Sequence, residues 1–214
     1  MKMKSLVSIF VFIAFSATTK AQTSASKTNE KDRSPGQNAF YAGFEYANLT
    51  DVRMESTFEY FDGVQNVTKK ETQKGGTQMG IAGLSFGYQI KNPNGNPINI
   101  NTGLRVMQTF NKSEYGDNKI TFYIPEFNVG YLVTENFETY GGFSIPILRG
   151  SAEVNKYESR GGLNLGIAAH ATEQFTIKAA YNVYAFHYKF EDSTFNGKLD
   201  FAISGLAITT QMNF

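Results

Sequence analysis

Glu45, Arg105, Glu126 and Lys178 share one property: each falls on the polar phase of a segment in which apolar residues otherwise alternate with small or polar ones. A guanidinium between two carboxylates can neutralise them in a closed interior, where a lone charge is costly, or can line a narrow polar passage. Counted along their segments, Glu45, Arg105 and Glu126 lie at similar heights, about six to eight residues from the nearest short connection, so the three can meet. The two histidines, His170 and His187, would need carboxylates or each other at hand to bind metal or move protons. His170 falls beside a short connection and His187 near the opposite end of the pattern, so no metal site is expected. There is no Cys to act as nucleophile or thiolate ligand, and Ser, His and Asp occur without a nucleophile elbow or a phosphate-cradling glycine loop. The expectation is of no enzymatic activity and no cofactor, although a site assembled from separate strands leaves no linear motif.

The elements that must position these residues are read from a period of two that recurs about eight times after residue 39. Ala39 to Leu49 sets Phe40, Ala42, Phe44 and Tyr46 against Tyr41, Gly43 and Glu45, and Thr77 to Ile90 sets Leu84, Phe86 and Tyr88 against Gly83, Ser85 and Gly87. Ile98 to Phe110 places Arg105 among Asn99, Asn101 and Gly103. In Lys119 to Val133 the apolar phase changes from Ile120, Phe122 and Ile124 to Phe127, Val129, Tyr131 and Val133. Pro125 stands at the change, and a bulge is expected there because proline cannot donate to a ladder. A fifth segment contains Phe143 to Ile147, a sixth Gly162 to His170, a seventh Ile177 to Tyr184, and the last runs from Lys198 to Phe214. Connections alternate between short ones, such as Thr134 to Phe137 and Ala171 to Gln174, and long polar ones, such as Thr50 to Gly76 and Arg149 to Arg160. Two stretches, GYLVTENFETYGG and GIAAHATEQFTIKAAY, repeat a strand, a turn and a strand, so the hairpin is the unit.

Ahead of this pattern, Met1 to Ala21 has signal-peptide order: Lys2 and Lys4, an apolar run from Leu6 to Phe15, then small residues with Thr19 and Ala21 at the positions before cleavage. Residues 22–38 contain no Leu, Ile, Val or aromatic residue and are expected to form a disordered periplasmic tail. No later stretch has the run of roughly 18 apolar residues that a helical span needs. A mean hydropathy of −0.31 fits a chain whose apolar residues occupy alternate strand positions. Phe 19, Tyr 12 and Gly 20 with 5 Pro favour β-structure, and a net charge of +1 gives no overall field to attract nucleic acid.

Residues 39–214 are therefore expected to form an all-β, antiparallel, up-and-down transmembrane barrel of about eight strands. In hydrocarbon every backbone polar group needs an internal partner, and a sheet supplies one everywhere only by closing. With eight strands the interior is filled by side chains, so Glu45, Arg105, Glu126 and Lys178 are read as a structural network in the lumen. Phe40, Tyr88, Phe137, Tyr140 and Phe175 are expected in the lower interfacial girdle. A secreted, lipocalin-like ligand carrier also closes eight strands, but with its apolar face inward. The charges that share a face with the glycines, the alternation of link lengths and the terminal Phe214 favour the membrane barrel.

Through FYAGFEYA, GLSFGYQI, IPEFNVGYLV, GGFSIPI and the closing ITTQMNF, residues 39–214 resemble the small bacterial outer-membrane barrels of the OmpA-like and OmpX-like kind. That resemblance implies a bacterial outer-membrane location. It also implies a carboxy-terminal signal, Ile208, Thr210, Met212 and Phe214, read by the barrel-assembly machinery. Partners expected are outer-membrane lipid, that machinery and a surface ligand, with the chain a monomer. Phe58, Tyr60 and Phe61 in the first long link are candidates for surface contact, against the plainer reading that Met54, Ser56, Phe58 and Tyr60 simply extend the pleat above the membrane. The role expected is structural or surface-interacting, with a narrow porin-like channel and a membrane-embedded lipid-modifying enzyme as alternatives.

Overall fold

A computed structural model describes residues 38–91, 96–110, 119–151, 154–192 and 195–214. The expected signal and all of the expected tail but Asn38 lie outside these residues. Nine strands follow in order: β1 (Ala39–Phe61), β2 (Asn66–Ile90), β3 (Ile98–Thr109), β4 (Thr121–Thr134), β5 (Phe137–Ser144), β6 (Ile147–Arg149), β7 (Glu158–His170), β8 (Phe175–Asp192) and β9 (Phe195–Asn213). All pairings are antiparallel, and β1 pairs with β9 as well as β2, which closes the sheet. β5 and β6 are two pieces of one stave. The register on β4 runs from Glu126↔Ser144 to Tyr123↔Ile147 with equal steps on both sides, and Ile145 N donates to Pro125 O at 2.9 Å across the gap. The ring therefore has eight staves.

The expected bulge at Pro125 is absent. β3 and β4 pair without a shift from Gln108↔Thr121 to Ile98↔Tyr131, Pro125 lies opposite Leu104, and its side chain points outward. The apolar phase changes because the interior changes. Toward the short-turn rim the buried inward row is polar, with Gln89, Asn101, Asn128, Asn164, Asn182 and Gln211. Toward the other rim it is apolar, with Leu49, Ile81, Met107, Phe122, Ile124 and Phe186 in one packed cluster. β4 crosses from one layer to the other at constant pleat, so its apolar residues move from the inner to the outer face.

Inward glycines are notches for large side chains from neighbouring staves. Tyr41 lies over Gly87 and Gly103, where an added Cβ would meet the phenol oxygen, and Tyr140 lies over Gly166 in the same way. Tyr140 is thus buried in the lumen, 8% exposed, and not in the girdle expected for it. Phe40, by contrast, is 68% exposed on the outer face and packs edge-on against Tyr88, ring centroids 5.1 Å apart.

β1 and β2 continue beyond the ring as a tall hairpin, paired through to Phe61↔Asn66. Its turn is set by Asp62, whose carboxylate accepts from the amides of Val64 and Gln65, both at 2.9 Å, with Gly63 at φ +97°. β9 follows β1 to Tyr60↔Phe195, and β8 follows β9 to Asp192↔Phe195. The order β2-β1-β9-β8 forms a four-stranded wing standing on one side of the long-link rim.

Candidate functional site

The polar layer centres on Arg105, 4% exposed on β3. Its Nη1 donates to Glu45 Oε1 of β1 at 2.9 Å, and its Nε lies 3.1 Å from Glu126 Oε2 of β4 as an ion pair without hydrogen-bond alignment. Thr209 Oγ1 donates to Glu45 Oε2 at 3.1 Å, and Asn164 Nδ2 donates to Glu126 Oε2 at 3.4 Å and to Asn128 Oδ1. The guanidinium also sits 5.9 Å from the centre of the Tyr184 ring. Lys178 lies in the same layer but makes no ion pair among the described residues; its Nζ stands over Tyr41 and Tyr140, 5.3 and 5.7 Å from the ring centres. What space remains between these groups is a cavity of about 20 Å³, room for one or two water molecules.

At the short-turn rim, Glu138 accepts from Asn99 Nδ2 at 2.6 Å and lies 3.1 Å from His170 Nε2, while His170 Nδ1 lies 3.0 Å from Thr176 Oγ1. His187 stands at the other end of the molecule, 2.7 Å from Asp200. Among the described residues no three His, Cys, Asp or Glu are placed to hold a metal ion.

On the wing, the face continuous with the apolar layer is aromatic. Phe186 stacks on Phe201 with centroids 5.0 Å apart, Tyr157 meets Phe201 and Tyr188 at 5.1 Å each, and Phe190 meets Tyr188 at 5.7 Å and Phe58 at 6.2 Å. Phe58 is half-buried in this row, whereas Tyr60 and the tip residues Phe61 and Val64 are exposed, Val64 at 86%.

The outer wall decides what the ring is for. Phe44, Leu84, Phe143, Leu165, Leu206 and Ile208 are exposed around the circumference, Leu165 at 71%, while their sequence neighbours Glu45, Ser85, Ser144 and Asn164 are buried within. A soluble chain rarely exposes a contiguous apolar patch of more than a few hundred Å², and a lipocalin-like carrier would have the two faces reversed. This is the fold of small bacterial outer-membrane β-barrels. Aromatic residues border the belt, with Tyr46 against Phe110 above, centroids 5.6 Å apart, and Phe40 against Tyr88 below. No helix among the described residues is long and apolar enough to cross a membrane; the strands do the crossing.

No protein-family model and no curated protein sequence matches the chain. Solved structures do. The outer membrane protein OprG from Pseudomonas aeruginosa matches at 13% identity and a TM-score of 0.44, over 82% of this chain and 95% of that one. Neisserial surface protein A matches at 12% identity and 0.41, over 83% and 99%. The outer membrane protease OmpT from Escherichia coli matches at 11% and 0.37, over 87% and 100%. Because barrels of this kind include a protease, the expectation that the chain has no enzymatic activity is withdrawn. It rested on missing linear motifs, which a site drawn from several strands does not need.

Alternation brought Glu45, Arg105 and Glu126 to the inner face, and the structure puts them in contact. It could not show the aromatic cradle of Lys178, which depends on the stagger between distant staves. Ile208 and Met212 lie exposed on the outer face of β9, with Thr210 half-buried; Phe214, one residue past the strand, is exposed as well, and its N donates to Phe40 O at 2.8 Å where the ring closes. The Glu138–His170–Asn99 group was missed, since a carboxylate, an imidazole and an amide on three hairpins carry no common spacing.

Proposed function

We propose that the barrel anchors and displays the wing, which contacts a partner outside the cell, and that the lumen does not conduct. The observation that carries this reading is the filled interior. Arg105 bridges the lumen at mid-height, the cavity beside it is about 20 Å³, and a layer of packed apolar side chains lies above it. The elaboration is in the wing, where Phe61 and Val64 stand far above the lipid belt and expose apolar surface to no lipid of their own membrane. In this reading the chain is a monomer in outer-membrane lipid, delivered by the barrel-assembly machinery through Ile208, Thr210, Met212 and Phe214.

The test is a deletion strain complemented with the wild type or with a Phe58→Ser, Tyr60→Ser, Phe61→Ser variant, compared for adhesion, detergent sensitivity and solute uptake. Adhesion is expected to fall in the variant with uptake unchanged. Equal adhesion in both overturns the display reading, and stable single-channel steps from the purified protein in planar bilayers overturn the sealed lumen.

A further inference from the structure

Above the lipid belt the outer edge of β2 has no neighbour among the described residues. The last β2–β3 pair is Ile81↔Thr109, followed by one hydrogen bond from Phe110 N to Gly80 O at 3.2 Å. From Asn66 to Met79 the strand is held by β1 alone. A bare edge of that length is a template for a further strand, which natural sheets commonly blunt with lysine. Here Lys69, Lys70 and Lys74 lie along it with one carboxylate, Glu71.

The charges are not equivalent. Lys69 pairs with Glu71, Arg53 with Glu55 at 2.6 Å, and Lys198 with Asp200 at 3.3 Å. Lys70 and Lys74 are exposed and make no ion pair among the described residues. Being four apart on a strand, they point to the same face, and Arg53 stands directly opposite Lys74. A second copy docking antiparallel about Thr72 would set Lys70 against Lys74, an arrangement of like charges directly across a ladder. Self-pairing is therefore opposed, while an acidic strand is favoured by the same two ammonium groups.

We propose that the free edge of β2 takes an added strand: an extended segment of another protein with carboxylates four residues apart, one opposite Lys70 and one opposite Lys74. Main-chain hydrogen bonds supply affinity without regard to sequence, and the lysine pair selects the charge pattern. The proposal rests on the reading of the wing as the interaction surface and names the chemistry of its partner.

The test uses the full chain folded in phospholipid nanodiscs and two fluorescent nine-residue peptides of alternating valine and threonine, carrying either two glutamates or two lysines four apart. The glutamate peptide is expected to bind at least ~10-fold more tightly, weakening as salt rises, and a Lys70→Glu, Lys74→Glu variant is expected to reverse the preference. Because the chain has no Cys, Thr72→Cys gives a unique site for disulfide capture of a cysteine-bearing glutamate peptide, and Lys189→Cys on the β8 edge serves as the control. Equal binding of both peptides, or capture at β8 in place of β2, overturns the proposal. If that happens while the Phe58, Tyr60, Phe61 variant still loses adhesion, the edge assignment falls and the display reading stands. If adhesion is also unchanged, both fall.

Discussion

Replacing Arg105 with Met removes the cation that serves two buried carboxylates and leaves a side chain of similar length. Deleting one member of a buried ion cluster costs about 3–5 kcal/mol, because the remaining charges stay desolvated and uncompensated. In this lumen Glu45 keeps its hydrogen bond from Thr209 at 3.1 Å and Glu126 keeps Asn164 at 3.4 Å. These residual donors place the expected loss at the lower end, about 3 kcal/mol, or roughly a hundredfold in the unfolding equilibrium. The companion variant Glu45→Gln, Arg105→Met leaves one carboxylate, Glu126, against the one ammonium of the same layer, Lys178, and is expected to recover at least half of that loss. Stability would be read from urea unfolding in phospholipid vesicles by far-ultraviolet circular dichroism, since the chain has no Trp to report by fluorescence. If Arg105→Met falls within about 1 kcal/mol of the wild type, the value of an exposed pair, the cluster is not electrostatically buried. A double variant weaker than the single one would equally refute the reasoning.

Gly103→Val drives a side chain into the space held by the Tyr41 phenol, and is expected to cost about 1–3 kcal/mol in the same assay, with a smaller loss when combined with Tyr41→Ala. Pro125→Ala tests the unbroken register of β4: with no bulge to preserve, stability should stay within about 1 kcal/mol of the wild type, and a larger loss would restore the bulge. At the wing tip, the amides of Gln65 and Val64 hold the Asp62 carboxyl below the usual carboxylate range. A depressed value means that the turn's stabilisation is present at neutral pH and disappears as pH falls through the folded-state pKa. Amide exchange at Val64 and Gln65 should therefore be protected above the ordinary carboxylate range and lose protection in acid, and Asp62→Ala should lack the protection at every pH.

The ring was legible because a sheet between lipid and a filled lumen must alternate, and most staves do so without interruption, as Phe44 and Glu45, or Leu165 and Asn164, illustrate. The error at Pro125 came from equating apolar with outward. That equation holds where the interior is polar and fails at Phe122 and Ile124, where the interior is itself a hydrophobic core. Tyr140 was misplaced for a related reason, since an aromatic residue near a strand end suits an interface as well as it suits the glycine notch at Gly166. The continuation of β2 through Lys69, Lys70 and Lys74 is invisible to a hydrophobic pattern because neither face of that stretch is buried, and only its pairing with β1 defines it.

The packed layer that contains Leu49, Ile81 and Phe122 insulates the ions beneath it from the outside medium. With the wing outward, changes in external salt reach its bare lysines directly but meet an oily stopper before Arg105. In the display reading, a cell passing between environments thereby retunes what its surface attracts while the anchor below keeps its own charges balanced.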